Sequence, residues 1–147
     1  MTAGVDHALR LRSLWTCYLP AMIFHADLGL MPLFHGISPE IESHVDPARL
    51  PLLFGAMLVY FLVPLVSILL IAYAASDPVH ERRWRPWCRF HFWISVVYTV
   101  TNLPHLIAEI VVPDSRADQV ALMVVLLAIG LLINLEGWRW WHQPVTP

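Results

Sequence analysis

Four long apolar segments run through the chain, and most of its charged residues lie outside them. The segments cover residues 14–34, 50–75, 88–112 and 119–141. A helix needs about 20 residues to cross a hydrocarbon layer about 30 Å thick, and each segment reaches that length. Because lipid offers no partners to an open backbone, helices are the expected form. The pattern predicts an all-α polytopic membrane protein, folded as a single bundle of four transmembrane helices.

The third segment carries a stripe of polar side chains. They recur at steps of four, three, four, three and four, a spacing that places them on one face of an α-helix. The members of this polar face are His91, Ser95, Tyr98, Asn102, His105 and Glu109. In a membrane, each of them needs a partner from another helix or from water. We therefore expect the polar face to turn inward, toward the other three helices.

Composition supports a membrane protein. Hydrophobic residues make up 58% of the chain and charged residues 14%, both outside the usual soluble range. The net charge of -2 gives no reason to expect nucleic-acid binding. Pro20, His25 and Asp27 interrupt the first segment, so we expect a membrane span there and not a cleaved signal peptide. The expected surrounding is a lipid bilayer, in a bacterial inner membrane or an equivalent one.

Arginine sets the predicted orientation, since the chain contains no lysine. Arginines crowd the connection between the second and third segments, precede the first and end the fourth, whereas the other two connections are mostly acidic. The positive-inside rule then places both termini in the cytoplasm. Trp15 and Tyr18 are expected at the cytoplasmic interface, where amphipathic rings are favoured.

Two Xaa-Pro pairs between the first and second segments predict helix starts. Ser38-Pro39 and Asp46-Pro47 each join a good N-cap residue to a proline suited to the first helical position. The first pair predicts a short interfacial helix. The second predicts the beginning of the second span.

Two histidines of the polar face favour a haem site. His91 and His105 are 14 residues apart, which separates them by about 21 Å on nearly the same side of a helix. This spacing resembles that of the paired histidines in the membrane cytochrome b family. The resemblance implies b-type haem, with each iron held between imidazoles of two helices. By depth, the candidate partners are His142 for His91, and His25 or His35 for His105.

Other members of the polar face would support such a haem. Tyr98, Asn102 and Glu109 would orient the imidazoles and hold propionates or water. No other segment repeats the interval between the histidines, which favours one haem over two. The predicted function is electron transfer, within a larger complex or toward quinone.

The same residues also allow a metal site or a proton path. His105 and Glu109 lie one turn apart, and with His25 or His35 they offer nitrogen and oxygen ligands that divalent metals accept. Ionisable groups along one membrane-spanning face can also relay protons. Asp27 lies about 200° around the first span from His25, so we expect the two side chains to face different points.

A third possibility is a pocket for a lipophilic ligand. Prolines, aromatic residues and polar residues follow one another through the first three spans: Pro20, Phe24, Asp27-Leu28, Pro32, Tyr60, Pro64, Tyr73, Ser95-Val96, Thr101 and Pro104. This order is similar to that of the EXPERA family, which includes emopamil-binding sterol isomerases and sigma-2-receptor-like proteins. The resemblance implies Asp27 and Glu109 as pocket acids, and Tyr60 and Asn134 complete the predicted pocket. Met57 stands where an acid is expected on the second span, which departs from the family pattern.

Polar residues in transmembrane helices also serve simply to hydrogen-bond one another. A fourth interpretation is therefore an accessory subunit, whose polar face meets other membrane subunits or a second copy of the chain. The sequence leaves open whether the chain is an enzyme. Our main prediction is one or two b-type haems in the interior of the bundle, ligated by His105 with His25 or His35 and, for a second haem, by His91 with His142.

Overall fold

A computed structural model describes residues 6–36, 46–75, 81–111 and 116–143 of the chain. These residues form four α-helices: α1 His7–Phe34, α2 Leu50–Ala75, α3 Glu81–Val111 and α4 Ala117–Trp141. All four are long and apolar enough to cross a membrane. The predicted all-α fold and its four apolar helices are therefore confirmed.

Helix α1 begins at His7, earlier than the apolar segment predicted from residue 14. Asp6 is its N-cap, and the Asp6 carboxylate accepts a hydrogen bond of 2.9 Å from the backbone N–H of Leu9. Such a cap contributes about 1 kcal/mol to helix stability. Ala8 and Leu11 are buried, while the arginines beside them are exposed. These first turns are amphipathic, so a search for long apolar runs does not find them.

A buried carboxylate ties the start of α1 to the end of α4. The side chain of Glu136 is only 8% exposed. Its Oε2 lies 2.6 Å from Nδ1 of His7, and its Oε1 accepts a hydrogen bond of 2.7 Å from Arg139. The guanidinium of Arg10 approaches the same carboxylate to 3.6 Å. The contact joins the early turns of α1 to the rest of the bundle.

A short 3-10 turn, Pro47–Arg49, leads into α2. The Asp46 carboxylate accepts a hydrogen bond of 3.0 Å from the backbone N–H of Ala48, and the Asp46 carbonyl accepts one of 2.8 Å from Arg49. The predicted start at Asp46-Pro47 is therefore confirmed. The interfacial helix predicted at Ser38-Pro39 lies outside the described residues.

Helix α4 packs along both α1 and α3, whereas α2 packs along α1 and has few contacts with α3. At the contact of α3 with α4, Gly130 allows a close approach, because a Cβ there would lie 2.9 Å from Thr99 Oγ1. Small residues are the usual means by which apolar helices come this close. The bundle is thus tight between α3 and α4 and open between α2 and α3.

Trp15 and Tyr18, predicted at the depth of the cytoplasmic interface, lie in the core of the bundle. Each residue is 1% exposed, and their ring centroids are 5.6 Å apart. Both rings also meet the ring of Tyr98 edge-on, with centroids 5.7 Å and 5.6 Å away. The polar face of α3 provides their ring and hydrogen-bond partners inside the bundle.

Candidate functional site

The polar face of α3 turns inward, as predicted. Its first four members are at most 5% exposed: His91, Ser95, Tyr98 and Asn102. Side chains of other helices contact this face along its length. His105 and Glu109 continue the same face toward the end of α3, where the bundle opens into a cavity.

Helix α1 presents a matching inward face. Its buried residues fall at steps of three and four: Ala8, Leu11, Trp15, Tyr18, Met22 and His25. The two faces meet in order along the chain, from the contact of Trp15 with His91 to that of His25 with His105. The spacing of these α1 residues was the sequence signal that could have assigned Trp15 and Tyr18 to the interior.

His91 is sealed among aromatic side chains. Its Nε2 accepts a hydrogen bond of 2.8 Å from the indole N–H of Trp15. The rings of Trp87 and Trp140 lie 5.8 Å and 6.2 Å from its own, between centroids. Its Nδ1 has no partner among the described residues and faces α4, where a Cβ on Gly137 would be 3.7 Å away. Because Nε2 accepts a hydrogen bond, the proton of the neutral ring lies on Nδ1. The lone pair of Nε2, which could bind a metal, is therefore already engaged by the indole of Trp15.

His142, the predicted partner of His91, lies elsewhere. It is exposed at the end of α4, and its Nδ1 is 2.8 Å from the backbone carbonyl oxygen of Trp138. Its ring lies against the rings of Trp138 and Trp141. A haem shared by His91 and His142 would require both side chains to leave these contacts.

Asn102 connects three helices in the middle of the bundle. Its Oδ1 accepts a hydrogen bond of 2.7 Å from the Tyr60 hydroxyl on α2, and its amide donates one of 2.7 Å to the Tyr18 hydroxyl on α1. The Tyr98 hydroxyl lies 3.1 Å from both the Tyr60 carbonyl oxygen and Met22 Sδ. The rings of Tyr60 and Tyr98 stack with centroids 4.2 Å apart. These contacts fix the side chains on one wall of the cavity.

His25, His105 and Glu109 come together beyond Asn102. The Nε2 atoms of the two histidines are 3.2 Å apart, and Glu109 Oε1 lies 3.6 Å from the first and 3.8 Å from the second. His25 and Glu109 are mostly buried, while the His105 side chain is 57% exposed. We call these three residues the His-His-Glu cluster. The three residues, all of them among the predicted metal ligands, thus lie together.

The three facing atoms of the cluster have the spacing of metal ligands. A triangle with sides of 3.2, 3.6 and 3.8 Å has a circumradius of about 2.1 Å, which matches zinc–imidazole and zinc–carboxylate bonds. At that bond length, ligands lie roughly 3.4 Å apart in a tetrahedron and roughly 3.0 Å apart in an octahedron. The mean observed spacing of about 3.5 Å lies between the tetrahedral value and that of three donors coplanar with the ion, so the donors would close slightly on a tetrahedral ion.

The same spacing is tight for a haem. Two axial imidazoles on one iron lie roughly 4 Å apart, with the macrocycle between them. In the cluster the Nε2 atoms are 3.2 Å apart and the rings meet edge to face. His35, the other predicted partner, is exposed at the end of α1, outside the cluster. The residues present therefore fit a single ion better than an iron porphyrin.

A cavity of about 520 Å³ adjoins the cluster. Residues of all four helices line it: Tyr18, Met22, His25, Ala26, Gly29, Ala56, Met57, Tyr60, Phe61, Thr101, Asn102, His105, Glu109, Gln119, Met123 and Leu126. The wall formed by α3 is polar, and the walls formed by the other helices are mainly apolar. Ala56 and Met57 on α2 are exposed, as are Thr101 and His105 on α3, so the cavity opens between α2 and α3.

The residues of the predicted ligand pocket separate into two groups. Tyr60 and Glu109 line the cavity, and so does Met57. Asp27 is exposed and does not line it. Asn134 lies apart, where its amide donates a hydrogen bond of 3.1 Å to Thr99 Oγ1.

Comparison of the chain with protein families, with curated proteins and with solved structures gives no match. The resemblances of the paired histidines to membrane cytochromes b, and of the proline-rich spans to the EXPERA family, therefore stay predictions. The geometry adds two features that the sequence did not provide, namely the spacing of the His-His-Glu cluster and the open cavity beside it.

Proposed function

We propose that the chain is a multi-pass integral membrane protein that binds a divalent metal ion, zinc in the first place, inside its helix bundle. Four helices of sufficient length support insertion. Large hydrophobic side chains are exposed on every helix, as a lipid surrounding requires: among them are Phe34, Leu52, Val111 and Leu131. The distribution of arginine supports a cytoplasmic location for both termini.

The observation that carries the proposal is the triangle of donor atoms in the His-His-Glu cluster. Two neutral imidazoles and one carboxylate are a ligand set that zinc accepts, and the donors already lie at bonding distance from a common point. The donor atoms come from two helices, α1 and α3. Helix packing therefore brings the three ligands together, because spacing along one helix accounts only for the pair on α3. Ionisable groups inside a membrane bundle are costly and usually functional.

Three protein ligands leave room for a fourth. Structural zinc sites are generally closed by four protein ligands, whereas catalytic sites have three and an open position. The cluster borders a cavity, so a fourth ligand would have access from there. An ion at this point would act as a Lewis acid on a molecule in the cavity. The proposed site is therefore of the open type, suited to binding or activating a small molecule.

The test is metal titration of the purified protein in detergent micelles. After treatment with a chelator, the wild-type protein should bind one equivalent of Co²⁺ with the intense visible absorption of a tetrahedral site, and Zn²⁺ should displace it. His25→Ala, His105→Ala and Glu109→Gln should each lower the affinity at least tenfold, since losing a ligand removes a metal bond. His35→Ala and His142→Ala are matched controls, because both histidines are exposed and outside the cluster.

The result that contradicts the proposal is equally direct. Binding of less than one equivalent, or affinities unchanged in all three cluster variants, would exclude this site. The same preparation tests the prediction of a haem between His25 and His105. A Soret band that disappears in His105→Ala would show haem there in place of a single ion.

A further inference from the structure

We infer that the ligand of this site is an amphiphile from the bilayer, a long-chain carboxylate, whose head binds the metal while its tail passes between α2 and α3. The inference rests on the proposed metal site and adds the class of molecule that completes it. Four features of the cavity carry it: its opening, its rim, its walls and its charge.

The cavity has an opening on the side of the bundle, between α2 and α3. Helix α2 has few contacts with α3, and the cavity reaches the surface through this gap. Met57 on α2 is 47% exposed and His105 on α3 has a side chain 57% exposed, although both line the cavity. In a membrane, a gap between the flanks of two spanning helices opens toward acyl chains.

Apolar side chains flank the opening. One helical turn from Met57 on α2 lies Leu53, and one turn from Thr101 on α3 lies Val97. Both side chains are exposed. A ligand that enters through this opening passes apolar side chains, a path that costs an amphiphile less than it costs a water-soluble molecule. The rim therefore favours a ligand that arrives from the bilayer.

The walls suit a flexible apolar chain next to a polar head. Five large apolar side chains from three helices line the cavity: Met22, Met57, Phe61, Met123 and Leu126. Methionine adapts its shape to irregular apolar ligands. The volume of about 520 Å³ lies within the range of about 300–1,000 Å³ that is typical of small-molecule sites.

The net charge of the site with zinc bound determines which head group would bind there. Zinc brings two positive charges, and Glu109 supplies one negative charge while His25 and His105 are neutral as ligands. Among the described residues that line the cavity, no other side chain is acidic, and none is lysine or arginine. One positive charge is left without compensation in a site of low dielectric. An anionic oxygen ligand such as a carboxylate would neutralise it.

The experiment uses the Co²⁺-loaded protein in phosphatidylcholine nanodiscs, with dodecanoate as the probe. Dodecanoate should shift the visible Co²⁺ bands at a concentration at least tenfold below that needed for acetate, because the tail lies in the cavity and the lipid. Methyl dodecanoate, which has the tail without the charge, should leave the bands unchanged.

Two substitutions at the opening locate the path of the ligand. Met57→Trp should raise the half-saturating concentration of dodecanoate at least tenfold and leave Co²⁺ affinity unchanged, since Met57 is not in the cluster. Leu58→Trp is the matched control on the neighbouring position, which is exposed and does not line the cavity. Ala56→Leu offers a smaller block at the same opening.

The outcomes separate the two proposals. Failure to bind Co²⁺ removes the metal site itself. If Co²⁺ binds and dodecanoate leaves the bands unchanged, or is no better than acetate, the metal site stands and the amphiphile is wrong. An equal effect of Met57→Trp and Leu58→Trp would overturn the path between α2 and α3.

Discussion

The two histidines of α3 have the same position in the sequence pattern and opposite surroundings in the bundle. His91 is fully buried and has one hydrogen bond, to Trp15. The side chain of His105 is 57% exposed and meets both His25 and Glu109. One site is closed by aromatic rings, and the other is open and brings together side chains of the types that can bind metals.

The size of the facing side chains accounts for the difference. Around His91, the rings of three tryptophans fill the space between α1, α3 and α4: Trp15, Trp87 and Trp140. Around His105, the facing helices contribute three small residues, Ala26, Gly29 and Ala56, among larger ones, and the space is not filled. Imidazole alone therefore does not define a site. Its neighbours on other helices decide whether it supports packing or remains available to a ligand.

The largest effect on stability is expected from removing the side chain of His91, the buried histidine. His91→Ala should lower the free energy of unfolding by about 3 kcal/mol, because it leaves a cavity and an indole N–H without a partner. His105→Ala in metal-free protein should cost less than about 0.5 kcal/mol, since that side chain is half exposed. Denaturation of both variants in the same micelles, followed by circular dichroism, gives the comparison. Equal losses would show that the two histidines are not distinct in role.

Zinc should stabilise the protein through the site at His105 and not through His91. At about 100 times its dissociation constant, zinc should raise the free energy of unfolding of the wild-type protein by about 2.7 kcal/mol. His91→Phe should show the same gain, because His91 is not in the cluster. His105→Ala should show almost none. Thermal unfolding with and without zinc provides the measurement, and a full gain in His105→Ala would move the metal site elsewhere.

Most of the fold was accessible from the sequence because it depends on long apolar runs. The predicted span at residues 50–75 coincides with α2, and the predicted ends of the other spans agree with the structure to within a residue. The starts of α1 and α3 were missed by seven residues each, at 7 and 81. Those turns are polar or mixed, so they carry no run of hydrophobic residues.

Less of the candidate site could be predicted from the sequence. The step of four between His105 and Glu109 indicated one ligand pair, and the depth of His25 indicated the third member. The pairing of His91 with Trp15, and of Asn102 with Tyr18 and Tyr60, was not predicted. Such contacts depend on the rotation of each helix about its axis, which large and small residues on several helices determine together.

The tight packing on the closed side can be tested at Gly130, with a smaller expected effect. A Cβ there would lie 2.9 Å from Thr99 Oγ1 and 3.2 Å from Thr99 Cγ2. The Thr99 hydroxyl donates to the Ser95 carbonyl oxygen and accepts from Asn134, so the side chain is held in place. Gly130→Ala should therefore force α4 away from α3 and cost about 1–2 kcal/mol of unfolding free energy.

Gly55 on α2 is the matched control for this substitution. A Cβ at Gly55 would meet nothing within 4 Å, so Gly55→Ala should be neutral or stabilising by up to about 1 kcal/mol through helix propensity. In a Thr99→Ala background the cost of Gly130→Ala should fall, which a double-mutant cycle measures. Co²⁺ affinity should not change, because the ligands lie on α1 and α3. An undiminished cost without Thr99 would mean that another contact sets the distance between α3 and α4.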